Sequence, residues 1–174
     1  MRIDSDDFEL FGLPRQFEQD IAAIDARWRT LLAECHPDRF VSEGEQAQRL
    51  AMQWSVRINE AHRRLKDPLA RAAYLCELHG APIHAEDNTA MPGSFLMQQM
   101  EWREALGDAR AAKDADALDA LDKDVRMERT ALLAQVGKQL DAGEYDAAAQ
   151  GVRSLMFLDK FGEEVQYAYE AIEG

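Results

Sequence analysis

Residues 28–40 read WRTLLAECHPDRF, a helical run that ends at the tripeptide His36-Pro37-Asp38. Proline cannot continue a helix, so the tripeptide predicts a loop. The segments on either side, 17–34 and 45–66, each place their apolar residues within a sector of about 100° at the α-helical advance per residue. A loop over 36–44 would fold these two helices back on each other as antiparallel partners. On its own, the tripeptide is better explained as a helix end followed by a turn.

The apolar pattern of these two helices predicts their core faces. The predicted core positions are Ile21, Ile24, Trp28, Leu31, Leu32 and Cys35 in the first helix, and Leu50, Trp54, Ile58, Ala61 and Leu65 in the second.

Shorter signals flank the helix pair. A brief helix around Phe8–Phe11 is closed by Gly12, and Asp67-Pro68 is typical of an N-cap and first-turn proline that open a fourth helix through Leu78. Glycine and proline punctuate residues 80–93, which we interpret as an interdomain connection. Beyond it, Ser94 is a candidate cap for a helix to about 112, followed by helices near 115–141 and 144–172.

The expected architecture is therefore all-α. Four helices form an N-terminal domain over 1–80, a linker covers 81–93, and an antiparallel three-helix bundle occupies 94–174. Composition supports this prediction, because the 174 residues include 28 Ala and 18 Leu but only 15 β-branched side chains. Ala and Leu cost little in a helix, whereas strands favour Val, Ile and Thr.

Charge narrows the classes of partner. The net charge is −13, with 11 bases and 14 acids in residues 1–80 but 9 bases and 19 acids in 81–174. Such a surface repels nucleic acid and anionic membranes. We find neither an apolar run that could span a bilayer nor the pattern of a signal peptide, and the two cysteines fit a reducing compartment. We therefore expect a cytoplasmic protein.

Residues 28–40 resemble the signature of J-domain co-chaperones, as do FELFGLP at 8–14, INEA at 58–61 and the Asp67-Pro68 start of the fourth helix. Three further segments, LARAAYL at 69–75, SFLM at 94–97 and FLDK at 157–160, resemble HscB-type proteins, the J-proteins of iron–sulfur cluster assembly. The resemblance implies a non-enzymatic co-chaperone with two partners. These are a DnaK-like ATPase chaperone of the HscA type and a cluster scaffold protein of the IscU type.

The resemblance also implies residue roles. His36, Pro37 and Asp38 would form the loop that stimulates ATP hydrolysis on the chaperone, and Arg27, Arg29 and Arg39 would meet its acidic surface. This sequence departs from the usual pattern in two ways. Glu34 and Thr30 reduce the basic character of the helix before the loop, and Cys35 stands where an aromatic residue is usual.

The helix that starts near Ser94 has a second apolar face. At 100° per residue, its core face carries Phe95, Trp102, Leu106 and Ala109. The opposite side carries an apolar group beside a row of acids, which is typical either of a partner site or of further packing within the protein. The resemblance favours the partner site and implies that the scaffold-binding residues are Leu96, Met97, Met100, Glu101, Glu104, Asp108 and Phe157.

Motifs for bond chemistry are absent from the sequence. The four histidines and two cysteines have no metal-ligand spacing, and there is no phosphate-binding glycine loop or nucleophile elbow. We expect no metal and no cofactor. Two alternatives remain: a J-domain co-chaperone for a different client, and an all-helical enzyme that uses clustered carboxylates.

Overall fold

The computed structural model describes residues 2–85 and 88–174, and every regular element in these ranges is helical. The all-α prediction is confirmed. In chain order the elements are α1 (Asp7–Phe11), α2 (Ile21–Cys35), a 3-10 helix (Pro37–Glu43), α3 (Glu45–Lys66), α4 (Pro68–Leu78), α5 (Gly93–Ala112), α6 (Ala115–Asp141) and α7 (Tyr145–Glu173).

The chain forms two compact units, Met1–Leu75 and Cys76–Gly174, so the division falls inside α4. The domain limits at 80 and 94 stay predictions. Within the predicted linker 81–93, residues 86–87 lie outside the described part of the chain. Two other linker residues, Ala81 and Ile83, are buried in unit 2.

Local capping sets several helix ends. Asp6 accepts a hydrogen bond from the Glu9 N–H at 3.0 Å, and Gly12 ends α1 in the left-handed conformation with φ of 64°. Asp20 accepts from the Ala22 N–H at 3.0 Å, so α2 begins at Ile21 rather than at residue 17 as predicted. Asp67 caps α4 as predicted, since its Oδ2 accepts from the Ala70 N–H at 3.2 Å.

The predicted Ser94 cap is wrong. Helix α5 begins one residue earlier, at Gly93, after the N-cap residue Pro92, and no side chain caps it. The N–H groups of Phe95 and Leu96 instead donate to the Pro92 carbonyl oxygen, at 3.0 and 3.2 Å. The start of α5 therefore depends on the main chain that leads into it.

Helices α2 and α3 pack antiparallel in unit 1. Trp28 Nε1 donates to Asn59 Oδ1 at 2.9 Å, and His62 Nε2 lies 2.8 Å from Asp25 Oδ1. Asp25 precedes Trp28 by three residues on α2, whereas its partner His62 follows Asn59 by three residues on α3, so the two helices run in opposite directions. The hydrogen bond with His62 lowers the pKa of Asp25 most, and the hydrogen bond and positive charge of Lys66 lower it further.

The core of this pair follows the predicted apolar faces with exceptions. Ile24, Leu31, Ile58, Ala61 and Leu65 are buried. Other predicted core residues are wrong or only half-buried: Leu50 is 53% exposed, Ile21 is exposed at the first position of α2, and Trp28, Leu32, Cys35 and Trp54 are half-buried. Leu50 is exposed because α2 ends before it can cover the N-terminal half of α3. Its side chain lines an open groove of about 290 Å³ with Phe40 and Trp54.

A buried carboxylate joins α1 to α3 and α4. Asp7 is fully buried, and its two oxygens accept from Arg64 Nε and Nη2 at 2.7 and 3.0 Å. Arg57 Nη1 lies 2.7 Å from Asp7 Oδ1, and the Tyr74 hydroxyl accepts from the Asp7 N–H at 3.0 Å. A buried charge is tolerated only when it is paired and hydrogen-bonded, and Asp7 meets both conditions.

Helices α5, α6 and α7 form unit 2. Arg129 Nε donates to Asp159 Oδ1 at 2.6 Å, and the Tyr169 hydroxyl lies 2.5 Å from Asp119 Oδ1. Arg129 follows Asp119 by ten residues on α6, whereas its partner Asp159 precedes Tyr169 by ten residues on α7, so the two helices are antiparallel. Burial and the nearby Asp119 carboxylate raise the pKa of Tyr169 to about 12, so the hydroxyl keeps its proton and donates it.

Across residues 2–85 and 88–174, none of the helices has the length and apolar character needed to cross a bilayer.

We predict that Gly151→Ala destabilises unit 2. Gly151 is buried where α7 meets α6, and an added Cβ would overlap the Cγ2 methyl of Val136, whose branched side chain cannot turn away. Overpacking of this kind costs about 1–3 kcal/mol, measurable as a lower urea midpoint. Gly162→Ala is the matched control on the same helix, because its Cβ would meet no atom within 4 Å. Equal midpoints for wild type and Gly151→Ala would contradict this packing.

Candidate functional site

The loop between α2 and α3 is held in one conformation by short local bonds. Proline favours an extended conformation in the residue before it, and His36 has φ of −64° and ψ of 130°. The Asp38 N–H donates to His36 Nδ1 at 3.2 Å, and the Arg39 N–H donates to the His36 carbonyl oxygen at 3.0 Å. Arg39 Nη1 also donates to the carbonyl oxygen of Ala33 at 3.1 Å, which satisfies the end of α2.

With the backbone of the loop held in this way, the polar side chains of His36 and Asp38 are exposed to solvent. The side chain of Asp38 is 88% exposed and that of His36 is 58% exposed, with 3.6 Å between Asp38 Oδ2 and His36 Nδ1. Pro37 is half-buried at the first position of the 3-10 helix. The loop therefore presents a carboxylate and an imidazole edge on a backbone that is already ordered, which lowers the entropy cost of binding a partner.

The three arginines predicted for the same surface are all exposed. Arg39 keeps its charge at the loop while one of its nitrogens caps α2. Arg27 and Arg29 project from α2, and no side-chain partner of either is found among the residues that the structure describes. All three cations are thus accessible to an acidic partner.

Cys35 directly precedes the loop and is half-buried. Burial raises the pKa of its thiol, and the neighbouring Glu34 carboxylate raises it further. A thiol in this state is neutral at physiological pH, so it has neither the nucleophilicity nor the metal affinity of a thiolate. Cys35 contributes packing at the end of α2 rather than reactivity beside His36.

The outward face of α5 is apolar and unpaired with the rest of its unit. Leu96, Met97 and Met100 are 44%, 68% and 72% exposed. The core face carries Phe95, Trp102, Leu106 and Ala109, and all four are buried as predicted. The alternative that the outward residues pack against another helix is therefore wrong.

Three acids lie beside this apolar group. Glu101, Glu104 and Asp108 are exposed, and Glu101 accepts a long hydrogen bond of 3.5 Å from Gln98. Within the described ranges, neither Glu104 nor Asp108 has an ion pair. The row is thus an uncompensated negative edge that favours a basic partner.

Phe157 lies on α7, where it packs against Phe95 in the first turn of α5. Its ring meets Phe95 edge-on at 5.7 Å between centroids and stacks on Phe161 at 5.8 Å. It is half-buried, and the guanidinium of Arg103 lies 5.3 Å from the ring centroid. Arg103 also pairs with Glu164 at 3.6 Å, so a cation borders the apolar group on the side of Phe157.

In unit 1 the structure leaves His36, Asp38 and the three predicted arginines exposed, and in unit 2 it places the predicted scaffold-binding residues on α5 and, for Phe157, on α7 beside Phe95. Helical spacing alone places Phe161 one turn after Phe157 on α7. The sequence did not indicate Arg103 beside Phe157, because contacts between α5 and α7 join residues far apart in the chain. Nothing in the sequence around Arg103 except its position on α5 indicates that its guanidinium lies over the ring of Phe157. In the described part of the chain, no group of three or more His, Cys, Asp or Glu side chains could hold a metal ion.

Comparisons with known proteins show what this chain is similar to. Residues 91–166 match the family model described as the HSCB C-terminal oligomerisation domain. The chain is 52% identical over 166 residues to the co-chaperone protein HscB homolog of Burkholderia multivorans, which covers 95% of each chain. It is also similar to the solved structure of chaperone HscB from Vibrio cholerae, with 38% identity, a TM-score of 0.78 and coverage of 97% and 99%. The crystal structure of human HscB shares the fold at a TM-score of 0.85.

The loop geometry predicts the tautomer of His36. Because Nδ1 accepts the Asp38 N–H, the ring proton of the neutral imidazole resides on Nε2, which points outward as a donor. Long-range ¹⁵N–¹H spectra of the imidazole at neutral pH should show the Nε2–H form. A dominant Nδ1–H form would contradict the capping bond.

Proposed function

The chain belongs to the HscB family of J-domain co-chaperones of iron–sulfur cluster assembly, and on this premise we propose that it stimulates the ATPase of an HscA-type chaperone and delivers an IscU-type scaffold to it. Unit 1 supplies the J-domain and unit 2 the helical domain that carries the scaffold. The observation that carries the proposal is the ordered, outward His36-Pro37-Asp38 loop at the α2–α3 junction of such a chain.

The chaperone surface consists of the loop with Arg27, Arg29 and Arg39. A carboxylate that is 88% exposed, as in Asp38, suits a charge-assisted bond to an arginine of the chaperone. The loop carries out no bond chemistry. It stimulates hydrolysis by binding the hydrolysis-competent state of the chaperone more tightly than the resting state, since only differential affinity shifts such an equilibrium.

The scaffold surface consists of Leu96, Met97, Met100 and Phe157 with the acidic row Glu101, Glu104 and Asp108. Flexible methionines adapt to a partner's shape, and the exposed apolar group supplies area that water leaves on binding. The acids select a partner with basic residues beside its own apolar contact. Because Asp108 is shorter than the two glutamates, we expect it to contribute least of the three.

Two surfaces on one chain give the proposal its coupling. A scaffold held by unit 2 is presented to a chaperone held by unit 1 at a high effective concentration, without any new contact between the partners. Two free cysteines, neither paired in a disulfide, fit action in a reducing compartment, and we propose the cytoplasm.

The two alternatives make different predictions. A J-domain co-chaperone for another client would stimulate the chaperone but fail to bind the scaffold. A carboxylate-dependent enzyme would bind a metal or turn over a substrate by itself. Measuring scaffold binding and chaperone ATPase with the purified chain separates all three.

We predict that Asp38→Asn abolishes most of the stimulation of the chaperone's ATPase. The amide keeps the size of the side chain but loses the charge that pairs with the partner, and losing a charged hydrogen bond costs about 1.5–3 kcal/mol. The steady-state ATPase of the purified chaperone should fall close to its basal rate. Glu43→Gln, an exposed carboxylate at the other end of the same 3-10 helix, is the matched control and should behave as wild type. Full stimulation by Asp38→Asn would refute the role of the loop.

We predict that Leu96→Ala/Met100→Ala weakens scaffold binding by about a hundredfold or more, as expected when central apolar contacts are truncated. Isothermal titration with the purified scaffold measures the affinity, and circular dichroism verifies the fold. Met127→Ala removes a methionine of similar exposure, 62%, from α6 and should not change the affinity. Wild-type affinity for the double variant would exclude this face as the scaffold site.

A further inference from the structure

Arg153 is a buried cation with an unusual set of partners. It lies on α7, is only 8% exposed, and donates from Nε to the Ile83 carbonyl oxygen at 2.9 Å. Its Nη1 and Nη2 donate to the carbonyl oxygens of Ala90 and Pro82, each at 3.3 Å. In the part of the chain that the structure describes, all its acceptors are main-chain carbonyls and none is a carboxylate.

A packing requirement does not explain an arginine at this position. Its neighbours Val152, Ser154 and Leu155 are small or apolar and buried, and an apolar side chain would avoid the cost of moving a guanidinium out of water. An arginine is favoured because its planar fork carries five donors and satisfies several carbonyls at once. The side chain therefore serves the backbone that it binds.

One of the three acceptors, Ala90, lies in the backbone that leads into α5. Pro82 and Ile83 follow the end of α4, and Ala90 lies two residues before Pro92, whose carbonyl receives the first N–H groups of α5. Among the residues that the structure describes, no side chain caps this helix, so the position of its first turn depends on the preceding main chain. Gln99 Nε2 adds a second tie by donating to Met91 Sδ at 3.3 Å.

The hydrogen bonds of Arg153 join two parts of unit 2 that border the proposed scaffold surface. Arg153 is four residues before Phe157, so the two side chains leave the same face of α7 one turn apart. Leu96 and Met97 lie in the first turn of α5, next to the segment that Arg153 holds. The guanidinium thus links the helix of Phe157 to the main chain that places Leu96.

We propose that Arg153 is a positioning residue for scaffold docking, which fixes the first turn of α5 relative to Phe157 so that Leu96, Met97 and Phe157 present one preformed apolar surface. This inference rests on the proposed function of unit 2. It adds to that function a residue that does not itself touch the scaffold.

The test compares Arg153→Lys with Arg129→Lys in the full chain. Lysine keeps the charge at position 153 but cannot span the three carbonyls, whereas Arg129 ties α6 to α7 through Asp159. Hydrogen exchange reports the order of α5 through the amides of residues 97–100, and titration with the purified scaffold reports affinity. For Arg153→Lys we expect exchange at 97–100 to accelerate and affinity to fall, each by about tenfold. Amides in the middle of α6 should be unchanged, and Arg129→Lys should alter neither exchange at 97–100 nor affinity.

Each other outcome contradicts the inference in a distinct way. Unchanged exchange at 97–100, or unchanged affinity, shows that Arg153 does not position the surface. Faster exchange throughout α6 and α7 shows a general structural role instead. If wild type fails to bind the scaffold, or if Leu96→Ala/Met100→Ala binds as wild type does, the proposed function itself fails.

A measurement on the wild-type chain needs no variant to fold. The Arg153 Nε–H, buried and bonded to Ile83, should give a slowly exchanging ¹⁵N resonance, unlike the Nε–H of the exposed Arg103. Rapid exchange at both arginines would show that the tie is open in solution, and it would overturn the proposal.

Discussion

Two irregular segments of this chain are held to its helices by buried arginines, and the proposed scaffold surface on α5 depends on that constraint. Main-chain carbonyls outside helices need hydrogen-bond donors when they are buried. In unit 1, Arg71 donates to the carbonyl oxygen of Phe17, in the segment that precedes α2, at 2.8 Å, and to that of Leu65, in the last turn of α3, at 2.6 Å. In unit 2, Arg153 does the same for the segment that precedes α5.

The two surfaces differ in the physical basis of their specificity. At the loop, a stiff backbone presents one exposed carboxylate among cations, which suits an electrostatic contact made for a short time with a cycling ATPase. On the scaffold surface proposed for α5, an exposed apolar strip is the source of binding energy and its acidic edge the source of partner selection. The net charge of −13 is distributed unevenly along the chain, because most of the excess acids lie in residues 81–174. Unit 1 keeps accessible arginines, while the acids of unit 2 border its apolar strip.

Much of this organisation was predictable from the sequence because its signals are local. The bounds of α3 and α6 match the predicted 45–66 and 115–141, and the tripeptide marked the loop. The start of α2 was predicted too early because apolar periodicity does not register a cap such as Asp20. Leu50 continued the apolar pattern of α3, but periodicity cannot show that α2 ends before reaching it. The acceptors of Arg153 lie 63 to 71 residues away, and no local pattern indicates pairing over that distance.

Because one chain is proposed to couple a chaperone to a scaffold, the decisive experiment measures the chaperone's steady-state ATPase with the chain alone, the scaffold alone, and both together. Coupling through a shared chain raises the effective concentration of the scaffold at the chaperone. We predict that the combined stimulation exceeds the sum of the two separate increments at subsaturating concentrations. Stimulation equal to that sum would contradict the account, because it would mean that the two surfaces act independently.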